Sequence, residues 1–320
     1  LKGGGLVGLL LVAGACSGGD TDPGVLPPTA GAGGDGTAVG HGERWDAPAE
    51  PETVVADAWD TSHLRVAGEH LYMTRGGQLA RVARHGGDIE TIAPEVGDVF
   101  VFELREAVAF VGTWDGDLLR IALETGRVDV LVEDAWPEGD LSLAVDGAAQ
   151  GDAFVASEKQ GTIERVGIDG TRTLLASMLA EPNGLLFREG MLYWTVSSGE
   201  IQAMPAAGGT PATIGDLAHL NGRFLRFDGA TAWWGSTSFG SQGALGTFDV
   251  ITSEVRVLAE GQDHFVEVVL SDARAYWATV REHSIRGMNR DGTDLGVVAV
   301  ASEHDGAWVS IAVDDTHLYW

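Results

Sequence analysis

Internal disulfides are excluded at the outset, because the 320-residue chain contains a single cysteine, Cys16. Basic residues are scarce too: 20 Lys and Arg stand against 47 Asp and Glu, for a formal charge of −27. A chain so acidic repels polyphosphates and anionic lipids, which argues against nucleic-acid binding and electrostatic adhesion to a bilayer. Its long apolar run, Gly3–Ala15 behind Lys2, has only 13 residues. As a helix that run rises about 20 Å, short of a hydrocarbon core of about 30 Å. No GxSxG nucleophile motif occurs, and GAGGDG (31–36) has neither a strand signal before it nor a helix signal after it. A nucleophile elbow and a dinucleotide loop are therefore unsupported.

What is there begins with the apolar run, which reads as the hydrophobic part of a signal peptide. Ala13-Gly14-Ala15-Cys16 resembles the bacterial lipobox, with Ala13 where that family usually has Leu. The resemblance implies cleavage before Cys16, acylation of its sulfur and amine, and a durable membrane anchor. Ser17 follows the cysteine, which by the same resemblance implies the outer membrane of the cell envelope. Residues 1–15 are then the signal peptide. Residues 16–51, rich in Gly, Pro, Asp and Thr without periodicity, are expected to form a tether, since they cannot bury enough apolar surface to offset chain entropy.

From residue 52 to 320 the sequence repeats. An aromatic pair, or an aromatic–aliphatic pair, begins at Tyr72, Phe110, Phe154, Tyr193, Trp233, Tyr276 and Tyr319, at intervals of 38 to 44 residues. It is usually followed closely by Thr or Ser. Strand–turn–strand segments such as 81–93, 120–132 and 165–176 recur between the pairs, centred on Gly-Gly, Thr-Gly or Asp-Gly. Such pairs accept the positive φ of a hairpin turn. Each period therefore predicts four short strands. A lone four-stranded meander leaves both faces bare, whereas radial packing around an axis covers them. The predicted fold is an all-β propeller of four-stranded antiparallel blades. Seven blades are expected, the last incomplete and closed by an N-terminal strand at Thr53–Ala56. If that segment is linker, the ring is open or has eight blades.

Leu192-Tyr193-Trp194-Thr195, with Gly199-Glu200-Ile201 and Gly208-Gly209, resembles the YWTD repeats of lipoprotein receptors and, more closely, YWTD- and NHL-like propellers of bacterial lipoproteins. Val196 replaces the receptor repeat's Asp. Pro182-Asn183-Gly184-Leu185 resembles a segment of gluconolactonase and senescence-marker-protein propellers, in which the Asn ligates a metal. That resemblance implies a metal-dependent lactonase or esterase-like hydrolase working in the central channel. The matching places here hold Ser62-His63 and Leu220-Asn221 instead of carboxylates. Two neutral amides lack the charge that a hard divalent cation wants, so no cofactor is expected and a channel cation is disfavoured.

The loops between successive blades share one face with the turns after each second strand. They carry fourteen acidic residues and no Lys or Arg. Charge of one sign around a concave mouth focuses potential. Ligand-binding candidates on this face are Asp60, Asp98, Asp140, Asn183, Asn221, Asp263 and His264. Trp59, Trp136 and Trp308 lie in the same loops. They suit cation–π contact or stacking on sugar rings, or alternatively packing between blades. No catalytic residue is assigned. The expected function is a lipid-anchored binding module that presents an acidic loop face to a protein or polysaccharide at the cell envelope. The alternative is the hydrolase.

Overall fold

Consecutive bulky residues in a strand point to opposite faces of its sheet, so an aromatic pair demands an apolar partner on both sides. The computed structural model describes residues 61–136, 141–147, 151–217, 222–236, 243–262, 265–279, 284–300, 310–314 and 316–320. Blade 1 comprises β1 (Thr61–Ala67), β2 (His70–Arg75), β3 (Gln78–Ala83) and β4 (Glu90–Ala93). Blade 2 comprises β5 (Val99–Arg105), β6 (Val108–Thr113), β7 (Leu118–Ala122) and β8 (Val128–Val132). Blade 3 has β9 (Ser142–Val145), β10 (Ala153–Ser157), β11 (Thr162–Val166) and β12 (Arg172–Ala176). Blade 4 has β13 (Asn183–Arg188), β14 (Met191–Thr195), β15 (Glu200–Pro205) and β16 (Ala212–Asp216). Blade 5 runs through β17 (Gly222–Asp228), β18 (Thr231–Ser236), β19 (Gly243–Asp249) and β20 (Val255–Gln262). Blade 6 runs through β21 (Phe265–Leu270), β22 (Arg274–Thr279), β23 (Ser284–Asn289) and β24 (Gly296–Val300). Each is a four-stranded meander, and β25 (Ala312–Val313) with β26 (Leu318–Tyr319) makes a two-stranded remainder.

Seven apolar clusters lie one between each pair of neighbouring positions. The aromatic pairs build them by a single rule. The first member faces the following blade and the second faces the preceding one. Tyr193 packs with blade 5 and Trp194 with blade 3. Trp233 packs with blade 6 and Trp234 with blade 4. The rule holds even in the remainder, where Tyr319 joins Leu71 and Met73 of blade 1 while Trp320 lies against the cluster shared with blade 6. Every sheet thus buries both faces, which is the physical reason the repeat exists.

The blade count differs from expectation. Six blades are complete, and among the described residues the seventh position holds β25 and β26 alone. No third strand joins β26 among the described residues, and Thr53–Ala56, expected to close that blade, lies outside them. The innermost strands touch in the order β1, β5, β9, β13, β17, β21, β25 and back to β1. At the seam the Leu64 amide donates to Ser310 Oγ (2.6 Å), and Arg84 pairs with Asp314 (2.8 Å).

Candidate functional site

The loop face is assembled the same way in each blade. The second strand ends in a buried hydroxyl: Thr74, Thr113, Ser157, Thr195, Ser236 or Thr279. The hydroxyl satisfies backbone that the strand end leaves open. Asp117 N donates to Thr113 Oγ1 (3.1 Å), Gln160 N to Ser157 Oγ (3.1 Å) and Ala244 N to Ser236 Oγ (2.7 Å). This accounts for the Ser or Thr that trails each aromatic pair. In four blades a glycine of the adjoining turn then offers its carbonyl to the next interblade loop. Gly77 accepts from Val96 N, Gly116 from Ala135 N, Gly161 from Leu179 N and Gly199 from Leu217 N, at 2.8–3.0 Å.

Between blades 1 and 2 these turns leave a cleft of about 220 Å³, lined by Ser62, Thr74, Arg75, Asp98, Val99, Trp114 and three glycines. Trp114 is 50% exposed and stands edge-on against Phe100, with ring centroids 4.8 Å apart. Its amide donates to the Asp98 carbonyl (2.9 Å), which fixes the aromatic next to the exposed Asp98 side chain. Under Ser62, the ring of His63 is held at both nitrogens. Nε2 lies 3.0 Å from the Phe100 carbonyl, and Nδ1 lies 3.1 Å from both Ser62 Oγ and Thr74 Oγ1. A carbonyl only accepts, so Nε2 carries the proton and Nδ1 accepts from a hydroxyl. Burial, then the nearby Arg65 charge, lower the His63 pKa to about 4 against a partial offset from the Phe100 bond. At neutral pH this imidazole is uncharged and a weak base.

The axis carries charge of its own. Arg65 Nη1 lies 2.7 Å from Glu267, and Arg65 Nη2 lies 4.0 Å from Glu103. Arg105 pairs with Glu103 at 3.3 Å. Arg226, from β17, faces the same group. Burial raises the Glu267 pKa, while the flanking guanidiniums of Arg65 and Arg226 oppose the rise.

Of the residues the sequence singles out, Asp98 lines the cleft. Asn183 opens β13 on the same face, but its amide serves the scaffold. Its Oδ1 accepts from Gly184 N (2.7 Å) and Ser142 Oγ (3.3 Å), and its Nδ2 donates to Glu158 (3.4 Å). Asp60, Asp140, Asn221, Asp263 and His264 lie outside the described residues, as do Cys16, Trp59 and Trp308. Trp136, a stacking candidate from its loop, is fully buried in the cluster between blades 2 and 3. The Arg172 guanidinium sits 4.9 Å from its ring centroid. Sequence reasoning missed Trp114, although the polar turn Thr113-Trp114-Asp115-Gly116-Asp117 placed it on the right face. It also missed the axial charges, since Arg65, Glu103, Arg226 and Glu267 sit in different repeats.

No protein-family model and no curated protein matches the chain. Solved structures are similar in fold. A chain of a nidogen/laminin complex matches with TM-score 0.54 and 16% identity, over 79% of this chain and 97% of that one. A streptogramin B lyase matches with TM-score 0.64 and 11% identity, over 79% and 87%. A chain of a mitotic checkpoint complex matches with TM-score 0.61 and 14% identity, over 93% and 98%. At these identities the likeness shows the propeller fold alone.

Proposed function

We propose that this chain is a lipid-anchored binding module of the cell envelope that captures a protein or polysaccharide partner at the cleft between blades 1 and 2. One observation carries the reading: a half-exposed Trp114 beside the Asp98 carboxylate, over a floor of hydroxyl and glycine backbone. An aromatic ring with an exposed face suits stacking on a sugar or capping a side chain, and the polar groups around it fix orientation. Propellers in the nidogen/laminin and checkpoint complexes are found with protein partners, which favours binding on this fold. Acylation at Cys16 supplies the tether's attachment.

The lactonase reading finds less support in the residues. Asn183 Oδ1 already accepts two hydrogen bonds, and the axial carboxylates of Glu267 and Glu103 are paired with Arg65 and Arg105. The residues present do not fit that metal. Streptogramin B lyase shows that the fold also accommodates enzymes.

The test is capture from envelope extracts and a glycan array, using wild type, Trp114→Ala and Asp98→Asn. A partner lost by more than tenfold with Trp114→Ala supports the cleft. Equal capture by all three proteins removes the cleft from the interaction. For the anchor, Cys16→Ala should abolish acyl labelling and release the protein from membranes.

A further inference from the structure

We propose that the cleft between blades 1 and 2 binds one uncharged pyranose ring of a glycan, its apolar face on Trp114 and its hydroxyls on Asp98 and the cleft floor. This rests on the cleft reading above and narrows it to a sugar. Size sets the first limit. The cleft has about 220 Å³, below the roughly 300–1,000 Å³ of sites for drug-sized ligands. It holds a single small ring rather than a folded element of a partner.

The protons of the floor set the second limit. His63 Nε2 donates to the Phe100 carbonyl, so Nδ1 accepts from Ser62 Oγ or Thr74 Oγ1. Thr74 Oγ1 also lies 3.1 Å from the Ser62 carbonyl and 2.9 Å from Ser62 Oγ. Each hydroxyl carries one proton, and both protons have acceptors within this group. The floor oxygens therefore meet a ligand as acceptors. The Asp98 carboxylate, in the same lining, only accepts. The ligand must bring several donors, as a ring of hydroxyls does.

Charge sets the third limit. Asp98 and Arg75 give the lining one charge of each sign, so an ion of either sign meets repulsion as well as attraction. Trp114 is 50% exposed, which marks the cleft as open to water. Ion pairs in such a place contribute little, and taking an apolar face out of water contributes more. A small zwitterion would satisfy the two charges but offers nothing to the indole. A pyranose meets both needs: C–H groups make one face apolar, and the hydroxyls at its edge donate to Asp98 and the floor and accept from Arg75.

The experiment is saturation-transfer NMR and thermal unfolding of the purified protein with the methyl glycosides of glucose, galactose, mannose and N-acetylglucosamine. Sorbitol, glycine, glucosamine and glucuronate are the comparisons, at matched ionic strength. At least one neutral glycoside is expected to bind with a Kd of roughly 1–10 mM, as a ligand of about a dozen heavy atoms does at an open site. It should raise Tm saturably and take up saturation most strongly at its ring C–H protons. Sorbitol has the hydroxyls without the ring face, and neither it nor glycine should bind in that range. Glucosamine and glucuronate should bind no tighter than the glucoside. Trp114→Ala should weaken binding by more than about tenfold and Trp114→Phe by only about threefold. Arg188→Gln, in the Arg188–Glu189 pair of blade 4, should bind as wild type does. The sugar is overturned if no neutral glycoside binds, if sorbitol or glycine binds as tightly, if either charged sugar is the tighter ligand, or if Trp114→Ala binds as wild type does. Trp114-dependent capture of an envelope protein without sugar binding removes the sugar and keeps the cleft. Loss of both removes the cleft as well.

Discussion

Arg65 Nη1 stands 2.7 Å from Glu267 Oε1, so blades 1 and 6 are tied directly across the two-stranded seventh position. Small Ala312 occupies the matching register there, which leaves space for the longer side chains to meet. A quarter to a third of each side chain remains open to water, so the pair ranks between a surface bridge and a fully enclosed one.

Glu267→Gln should therefore cost about 1–3 kcal/mol, between the values for exposed and buried pairs. Adding Arg65→Met should restore part of the loss, because the stranded guanidinium goes with it. Urea unfolding of the two single variants and the double variant measures the coupling. Additive losses would show that the pair contributes nothing to closure.

Gly161 shows how the loop face is held. It has φ +62°, and a Cβ there would meet the Leu179 carbonyl at 2.5 Å. Gly161→Ala is expected to cost about 2–3 kcal/mol, from the left-handed backbone plus displacement of the blade 3–4 loop. Gly68 has φ +56° and open space around it. Gly68→Ala should cost only about 1 kcal/mol. Equal losses in chemical denaturation would remove the steric part of the argument.

The two tryptophans of blade 2 and its exit loop should separate stability from binding. Trp136 is fully buried, and Trp136→Ala is expected to destabilise by about 3–5 kcal/mol. Trp114→Ala should change stability by less than about 1 kcal/mol while abolishing capture at the cleft. Thermal melts alongside the capture assay resolve the pair. A large melt shift for Trp114→Ala would make it a packing residue.

Acid should weaken the protein in two stages. The folded pKa of His63 is about 4 against 6.5 for the free side chain. Between those values the unfolded chain takes up a proton that the folded one refuses, so stability falls as pH drops from 6.5 to 4. The full effect is at most about 3 kcal/mol, and His63→Asn should flatten it. Asp314 acts below that window. Burial would raise its pKa, but hydrogen bonds from Tyr319 Oη, Thr316 N and His317 N outweigh burial and lower it. Its contribution is present above pH 3.8 and is lost below it. Unfolding free energies at pH 7.5, 5 and 3 for wild type and His63→Asn test both stages. An unchanged slope in the variant would show that His63 titrates normally.

The sequence alone determined the strands, their grouping in fours and the radial packing. Each blade must fill two interfaces from one strand, and the same local solution, a bulky pair then a hydroxyl, recurs visibly in all six complete blades. Asp98 was legible for a similar reason, since loop position follows from strand order. The tertiary structure decided which loop side chains turn outward. Trp136 and Trp114 lie on the same face by sequence, yet the first fills the gap between blades 2 and 3 and the second stays in water. It also decided the axis, where residues from four separate repeats come within range of one another. Their charges interact only once the ring has closed, because electrostatic energy depends on distance in space and periodicity reports only distance along the chain.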